Sequence, residues 1–159
     1  MATITKNRYQ DSQNFGQTPY GNLTTLEYSV TTSATGAVVG SDSTAAVASG
    51  DVVRLGILPA GFRLHTSLTI VNDAFTAAVT GSLGFAYVDG VDDTAVPQDA
   101  DYFGAAVAIN AAGRYAASNT GVVPLTLPKD AWLTLTTGGA NHTTAANAVV
   151  LVTGEHVGV

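Results

Sequence analysis

The chain has 159 residues, enough for one domain with a core of its own and no need of cross-links. Only 11% of residues are charged and 46% are hydrophobic, so Thr, Ser, Asn, Gln and Gly must cover most of the surface, as suits a β-rich particle component better than a free enzyme. The net charge of −6, with Lys6 and Arg8 the only close pair of basic residues, argues against a nucleic-acid partner, and the lack of cysteine excludes disulfides, thiolate metal sites and a cysteine nucleophile.

Residues 1–22 stand apart. They are rich in Gln, Asn, Thr and Gly, show no helical or strand period, and carry isolated aromatics at Tyr9, Phe15 and Tyr20. The opening MATITKNRYQDSQNFGQ lacks the apolar stretch of a signal peptide. No run approaches the roughly 18 apolar residues of a membrane-spanning helix, so no membrane partner is expected. The segment reads either as a disordered tail or as an extended arm tied down by a neighbouring subunit. In the second reading Tyr9, Phe15 and Tyr20 are its interface anchors, because Tyr and Phe bury much area at small entropic cost. The expected division is an arm over 1–22 and a β-domain over 23–159.

From Leu23 the chain reads as strands and turns. LTTLEYSVTT (Leu23 to Thr32) is β-branched and aromatic, as strands prefer. Ser33 to Gly50 is rich in small residues and reads as a loop or a weak edge hairpin through Ala37 to Val39. DVVRLGIL (Asp51 to Leu58) is a strand with Val53, Leu55 and Ile57 on one face and Arg54 on the other. Leu58-Pro-Ala-Gly61 places proline second and glycine fourth in a type I turn. The next strand alternates throughout, with Phe62, Leu64, Thr66, Leu68 and Ile70 on one face, and ends near Asn72-Asp73. SLGFAYV (Ser82 to Val88) puts Leu83, Phe85 and Tyr87 together. Tyr102 to Ile109 is either a strand or, with its alanines, a short helix, and Arg114 to Ser118 is a short strand. Pro124 confines Val122 to Leu127 to an edge or bulge. Ala131 to Thr137 and Ala148 to Gly154 are strong strands. About eight short strands without a long amphipathic helix give an all-β, antiparallel sandwich or barrel.

Little in the chain points to catalysis. His65, His142 and His156 lie far apart, without H-x-H or H-E-x-x-H spacing, and read as surface or interface histidines. Asp89 to Asp101 (DGVDDTAVPQDAD) gathers five aspartates. Calcium needs six to eight oxygen ligands, but this spacing is not that of an EF-hand loop and no glutamate closes it. A solvated acidic loop is favoured, with calcium binding as the alternative. No nucleophile elbow, P-loop or dinucleotide fingerprint occurs. Glu27 and Glu155 would serve as paired glycosidase acids only if the terminal strands were neighbours. Asn22-Leu-Thr and Asn141-His-Thr match the glycosylation sequon and, without a secretory signal, are read as chance. No enzyme, cofactor or metal is expected.

The order of segments carries a resemblance. SGDVVRLGILPAGFRL (Ser49 to Leu64) is followed by SLGFAYVDG, by an acidic loop leading into DYFGAAVAINAAGRY, and by LPKDAWLTLTTGGANHTTAANAVVLVTGEH. Over about residues 49–155 this resembles the small β-sandwich head proteins of tailed bacteriophages, the decoration or cement proteins. The resemblance implies a jelly-roll-like sandwich, dimeric or trimeric, on the outer surface of the virion head. There it would bridge neighbouring copies of the major capsid protein against internal genome pressure. No catalytic residue belongs to that role. Many modest contacts on a repeating lattice would give high avidity. The arm, through Tyr9, Phe15 and Tyr20, and the long loops would make them.

Two rivals remain at this level. A carbohydrate-binding or adhesin module of a phage tail or fibre would expose Trp132 with Tyr102 or Tyr115 nearby; against that, Trp132 reads as packed in the core beside Leu133. An enzyme on a barrel would bring the three histidines or the scattered carboxylates into one pocket.

Overall fold

The computed structural model describes residues 1–5, 23–119 and 123–158. Tyr9, Phe15 and Tyr20 lie outside these, as does the rest of the expected arm beyond Thr5. Thr3–Thr5, at the start of that arm, forms a strand of the fold.

The β-branched and aromatic runs form ten strands: β1 (Thr3–Thr5), β2 (Leu23–Thr32), β3 (Val52–Leu58), β4 (Phe62–Asp73), β5 (Thr80–Tyr87), β6 (Asp99–Val107), β7 (Gly113–Ala116), β8 (Leu125–Thr126), β9 (Ala131–Gly138) and β10 (Ala146–His156). No helix occurs among the described residues. Tyr102 to Val107 is therefore strand, its alanines overridden by pairing with β5.

One sheet has the order β1-β3-β9-β5-β6, the other β2-β10-β4-β7 with β8 beside β4. Apart from the short parallel pair β1–β3, every pairing is antiparallel. Most connections cross from one sheet to the other; β5–β6 and β7–β8 each remain within one. This is a jelly-roll sandwich, which leaves few free edges relative to its strand number. Leu58, Phe62, Leu64, Phe85, Leu127, Leu133 and Val152 are wholly buried between the sheets. The Tyr28 hydroxyl on β2 donates to the Ile57 carbonyl on β3 at 2.8 Å and so ties the two layers together. Burial pushes its pKa well above the ordinary tyrosine value.

Aspartates hold β1 at its sheet edge. The Ala2 N–H donates to Asp51 Oδ1 and the Thr5 N–H to Asp42 Oδ1, while Ile4 enters the core. Asp51 also accepts the Ala48 N–H at 2.9 Å. The Ala2 N–H, followed by that of Ala48, holds its carboxyl below the usual carboxylate range against the opposing effect of burial.

Two bulges change the expected faces. Arg54 pairs with Thr134 and Gly56 with Leu133, so Leu55 is an extra residue in β3. Beyond it Leu58, not Ile57, is the buried side chain. Likewise Leu64 pairs with Gly154 and Thr66 with Thr153, which leaves His65 as the extra residue in β4. Phe62 and Leu64 face the core as expected, but after His65 the buried set becomes Ser67, Thr69 and Val71, and Leu68 and Ile70 turn to the outer side. A single inserted residue reverses a period of two. The turn between these strands differs too. Its closing bond runs from the Phe62 N–H to the Pro59 carbonyl, so Gly61 occupies the third position, and its φ of 73° suits a type II rather than a type I turn.

Candidate interaction surface

The jelly roll gathers its loops at two ends. One end holds the Pro59–Gly61 turn, the Val88–Gln98 loop, the segment 127–130 and Val157–Gly158, the continuation of β10. The other holds the β2–β3, β4–β5, β6–β7 and β9–β10 connections.

At the first end the acidic loop is stapled by its own aspartates. Asp92 Oδ1 accepts the N–H groups of Asp93 and Gln98, and Asp93 Oδ1 those of Ala95 and Val96. Asp89 accepts the Val91 N–H and both oxygens take Lys129 Nζ, at 2.8 and 3.1 Å. The hydrogen bond from Lys129 is the main reason its carboxyl stays below the usual range. Tyr87 pins the loop to the sheet: its hydroxyl donates to the Val96 carbonyl at 2.6 Å and its N–H to Gln98 Oε1 at 2.8 Å. Burial, with Asp93, Asp92 and Asp89 nearby, pushes its pKa up to about 12. The expected solvated loop is thus exposed and, in addition, internally bonded. Among the described residues, no three acidic or histidine groups come together as a metal ion would require.

Beside this loop lies an open cleft of about 470 Å³, with Val96, Pro97 and Gln98 on one wall and Val123, Pro124 and Leu125 on the other. Tyr102 forms its floor, its hydroxyl donating to the Val123 carbonyl at 2.9 Å. Asp99 stands at the rim, next to Asp101, whose pKa is raised by the hydrogen bond between these two carboxyls. Sequence reasoning marked the acidic loop but not the cleft. Its walls come from segments that only the fold brings together, with Pro97 and Pro124 as the faint signal.

The residues that enzymatic readings need are dispersed. His65 Nε2 lies 3.7 Å from Glu155 Oε1, which Arg63 also meets at 3.3 Å. His156 is exposed at the same end, whereas His142 lies at the opposite end, beyond a strand spanning roughly 33 Å. The terminal strands do pair, but Glu27 stands opposite Leu151, four residues from Glu155. That separation is roughly 13 Å along the strand, beyond the roughly 5–9.5 Å of paired glycosidase acids. Nor is there an aromatic platform at the positions a glycan reading requires. Trp132 is 7% exposed and Tyr102 buried, while Tyr115 is half-buried with its hydroxyl on the Ala111 carbonyl. Trp132 is buried, as expected, but not on the side of Leu133. It alternates with Ala131 and Leu133 and so lies on the outer face of β9, its ring 5.2 Å from the Arg54 guanidinium.

His142 also departs from expectation: it is 2% exposed, not a surface residue. Its ring packs edge-on against Phe75 at 5.0 Å, and neither ring nitrogen has a hydrogen-bond partner among the described residues. Burial lowers its pKa below the ordinary histidine value. The folded chain therefore excludes a proton that the unfolded chain binds. Its contribution to stability is complete above the unfolded pKa of about 6.5 and declines as pH falls below it. The melting temperature should drop between pH 7 and pH 5, and His142→Phe should remove that part of the slope while His65→Gln retains it. An unchanged slope in His142→Phe would assign the loss to other groups.

No protein-family model matches the chain, and no curated protein matches it. In structure it is similar to a chain of the capsid of Ralstonia phage GP4, with a TM-score of 0.69 and 15% sequence identity over 97% of this chain and 97% of that chain. At that identity the likeness establishes a shared fold.

Proposed function

We propose that this protein is a structural component of a phage virion that sits on the outer surface of the head and cements neighbouring copies of the major capsid protein. The observation that carries the reading is the end-to-end structural likeness to a phage capsid chain, with almost nothing unmatched on either side. A weakly charged, thiol-free jelly roll with rigid loops suits such work, since interface cores are poor in charged residues other than Arg. The protein acts as a dimer or trimer, and Tyr9, Phe15 and Tyr20 anchor the arm on a neighbour. No catalytic step, cofactor or metal enters this role.

The test is co-sedimentation with heads of the source phage that lack this protein. Saturation at a fixed ratio to the major capsid protein is expected. Replacing Tyr9, Phe15 and Tyr20 together by Ser should weaken binding about tenfold or more, as loss of buried aromatic anchors does. Substitution is preferred to deleting residues 1–22, which would also remove β1 and the buried Ile4. No binding at micromolar protein would overturn the reading.

A further inference from the structure

The loop end that carries the acidic segment is the most partner-ready part of the molecule. Leu23, Val88, Val91, Val123 and Val157 lie there, five of the seven large apolar side chains exposed among the described residues; Met1 and Val39 are at the other end. Single exposed valines are ordinary on a protein surface, but their gathering at one end beside an apolar cleft is not. Val123 is 70% exposed and Val91 62%, and Val123 forms part of the cleft wall.

The surroundings are mainly acidic, and Arg63 at this end is paired with Glu155 at 3.3 Å. Asp89, Asp92, Asp93, Asp99, Asp101 and Asp130 all lie at this end. Lys129 is largely spent within the loop, on Asp89 and on the Val91 carbonyl at 2.6 Å. A hydrogen bond with Asp99, followed by burial and the like charge of Asp99, raises the pKa of Asp101, so the two carboxyls lie close enough for one cation to meet both. The loop is also pre-shaped, held by Tyr87 and by its own aspartate bonds, so docking would cost little ordering.

The geometry points to this end as the face that seats on the capsid shell, and to its partner as an apolar protein segment carrying lysine or arginine side chains. The apolar part of that segment fills the cleft between Pro97 and Pro124, and its cations meet Asp99 at the rim and Asp101 beside it. Interfaces place complementary potentials opposite one another in this way, which governs encounter rate and partner choice more than final affinity. The inference rests on the capsid reading above and adds which end binds and the chemistry it selects.

The experiment uses the same depleted heads with four proteins: the wild type, Val91→Ser/Val123→Ser, Asp101→Lys and, as a control at the opposite end, Val39→Ser. All four replaced side chains are exposed, so melting temperatures should stay close to that of the wild type. The valine pair and Asp101→Lys should each bind about tenfold more weakly or worse, and Val39→Ser as the wild type does. Wild-type binding should also weaken as salt rises from about 50 to about 500 mM, with a smaller dependence in Asp101→Lys. If the wild type binds and both loop-end variants bind equally well, the capsid reading stands and this inference is overturned. If the variants bind heads normally but lose self-association in sedimentation velocity, the end joins copies of this chain and the assignment to the shell is wrong. If the wild type does not bind at all, both fail together.

Discussion

Phe85→Ala should destabilise the fold by about 3–5 kcal/mol, as truncation of a wholly buried phenylalanine does. For a chain of this size that corresponds to a fall in melting temperature of roughly 10 °C or more. Phe85 is fully buried on β5, opposite Leu133 of β9. Its ring meets Tyr87 at 5.9 Å and Tyr102 at 5.6 Å, both edge-on, and Tyr102 meets Phe103 at 4.8 Å. Losing Phe85 therefore opens a cavity and removes the shared neighbour of the two tyrosines that fix the loop end. Tyr87 holds the Val96 carbonyl and Tyr102 the Val123 carbonyl, so the cleft should loosen along with the core. Urea and thermal unfolding measure the first effect; hydrogen exchange at Val96 and Gln98 measures the second. A loss below about 1 kcal/mol would mean that the sandwich repacks around the deletion, as a less well-ordered core can.

Gly36→Ala should cost about 3 kcal/mol or more, although it adds one methyl group to a loop. Gly36 has φ of 81°, where an L side chain is strained by about 1–2 kcal/mol. A β-carbon there would also fall 2.2 Å from the His142 carbonyl oxygen and 2.4 Å from its carbon. Both are backbone atoms, so no rotamer change relieves the overlap, and the β9–β10 connection must move. That movement breaks a chain of bonds in which the Val47 N–H donates to the Gly36 carbonyl and the His142 N–H to the Val47 carbonyl. It also exposes the buried His142 ring, so the acid sensitivity described above should shift along with stability. Equilibrium unfolding at pH 7 is the direct check. A variant as stable as the wild type would show that the two connections do not meet as closely as 2.2 Å implies.

Much of the β-architecture is legible in local pattern. Leu23–Thr32 is a strand over the range that its β-branched and aromatic residues mark out, and the strands around Pro59–Gly61 and Ala131–Gly138 are where alternation puts them. Arg54 does sit on the face opposite Val53 and Leu55. The burial of His142 had no such signal. Nothing in ANHTTA distinguishes a core histidine from a surface one; Phe75 and Val47, distant in the chain, make the site.

The sequence by itself determined the class of the fold, because strand formation answers to neighbours two residues apart and that information is local. It also determined the lack of thiol chemistry and the negative charge, which are matters of composition. Only the tertiary structure decided the phase of the faces beyond Leu55 and His65, because a bulge is set by the partner strand and one extra residue inverts every side chain after it. Only the fold brought Val96 and Pro97 opposite Val123 and Pro124, and gathered five exposed apolar side chains at the end that holds the aspartates. Those juxtapositions follow from the crossing of the jelly roll between its sheets, which sets residues far apart in the chain side by side at one rim, where no period in the sequence records them.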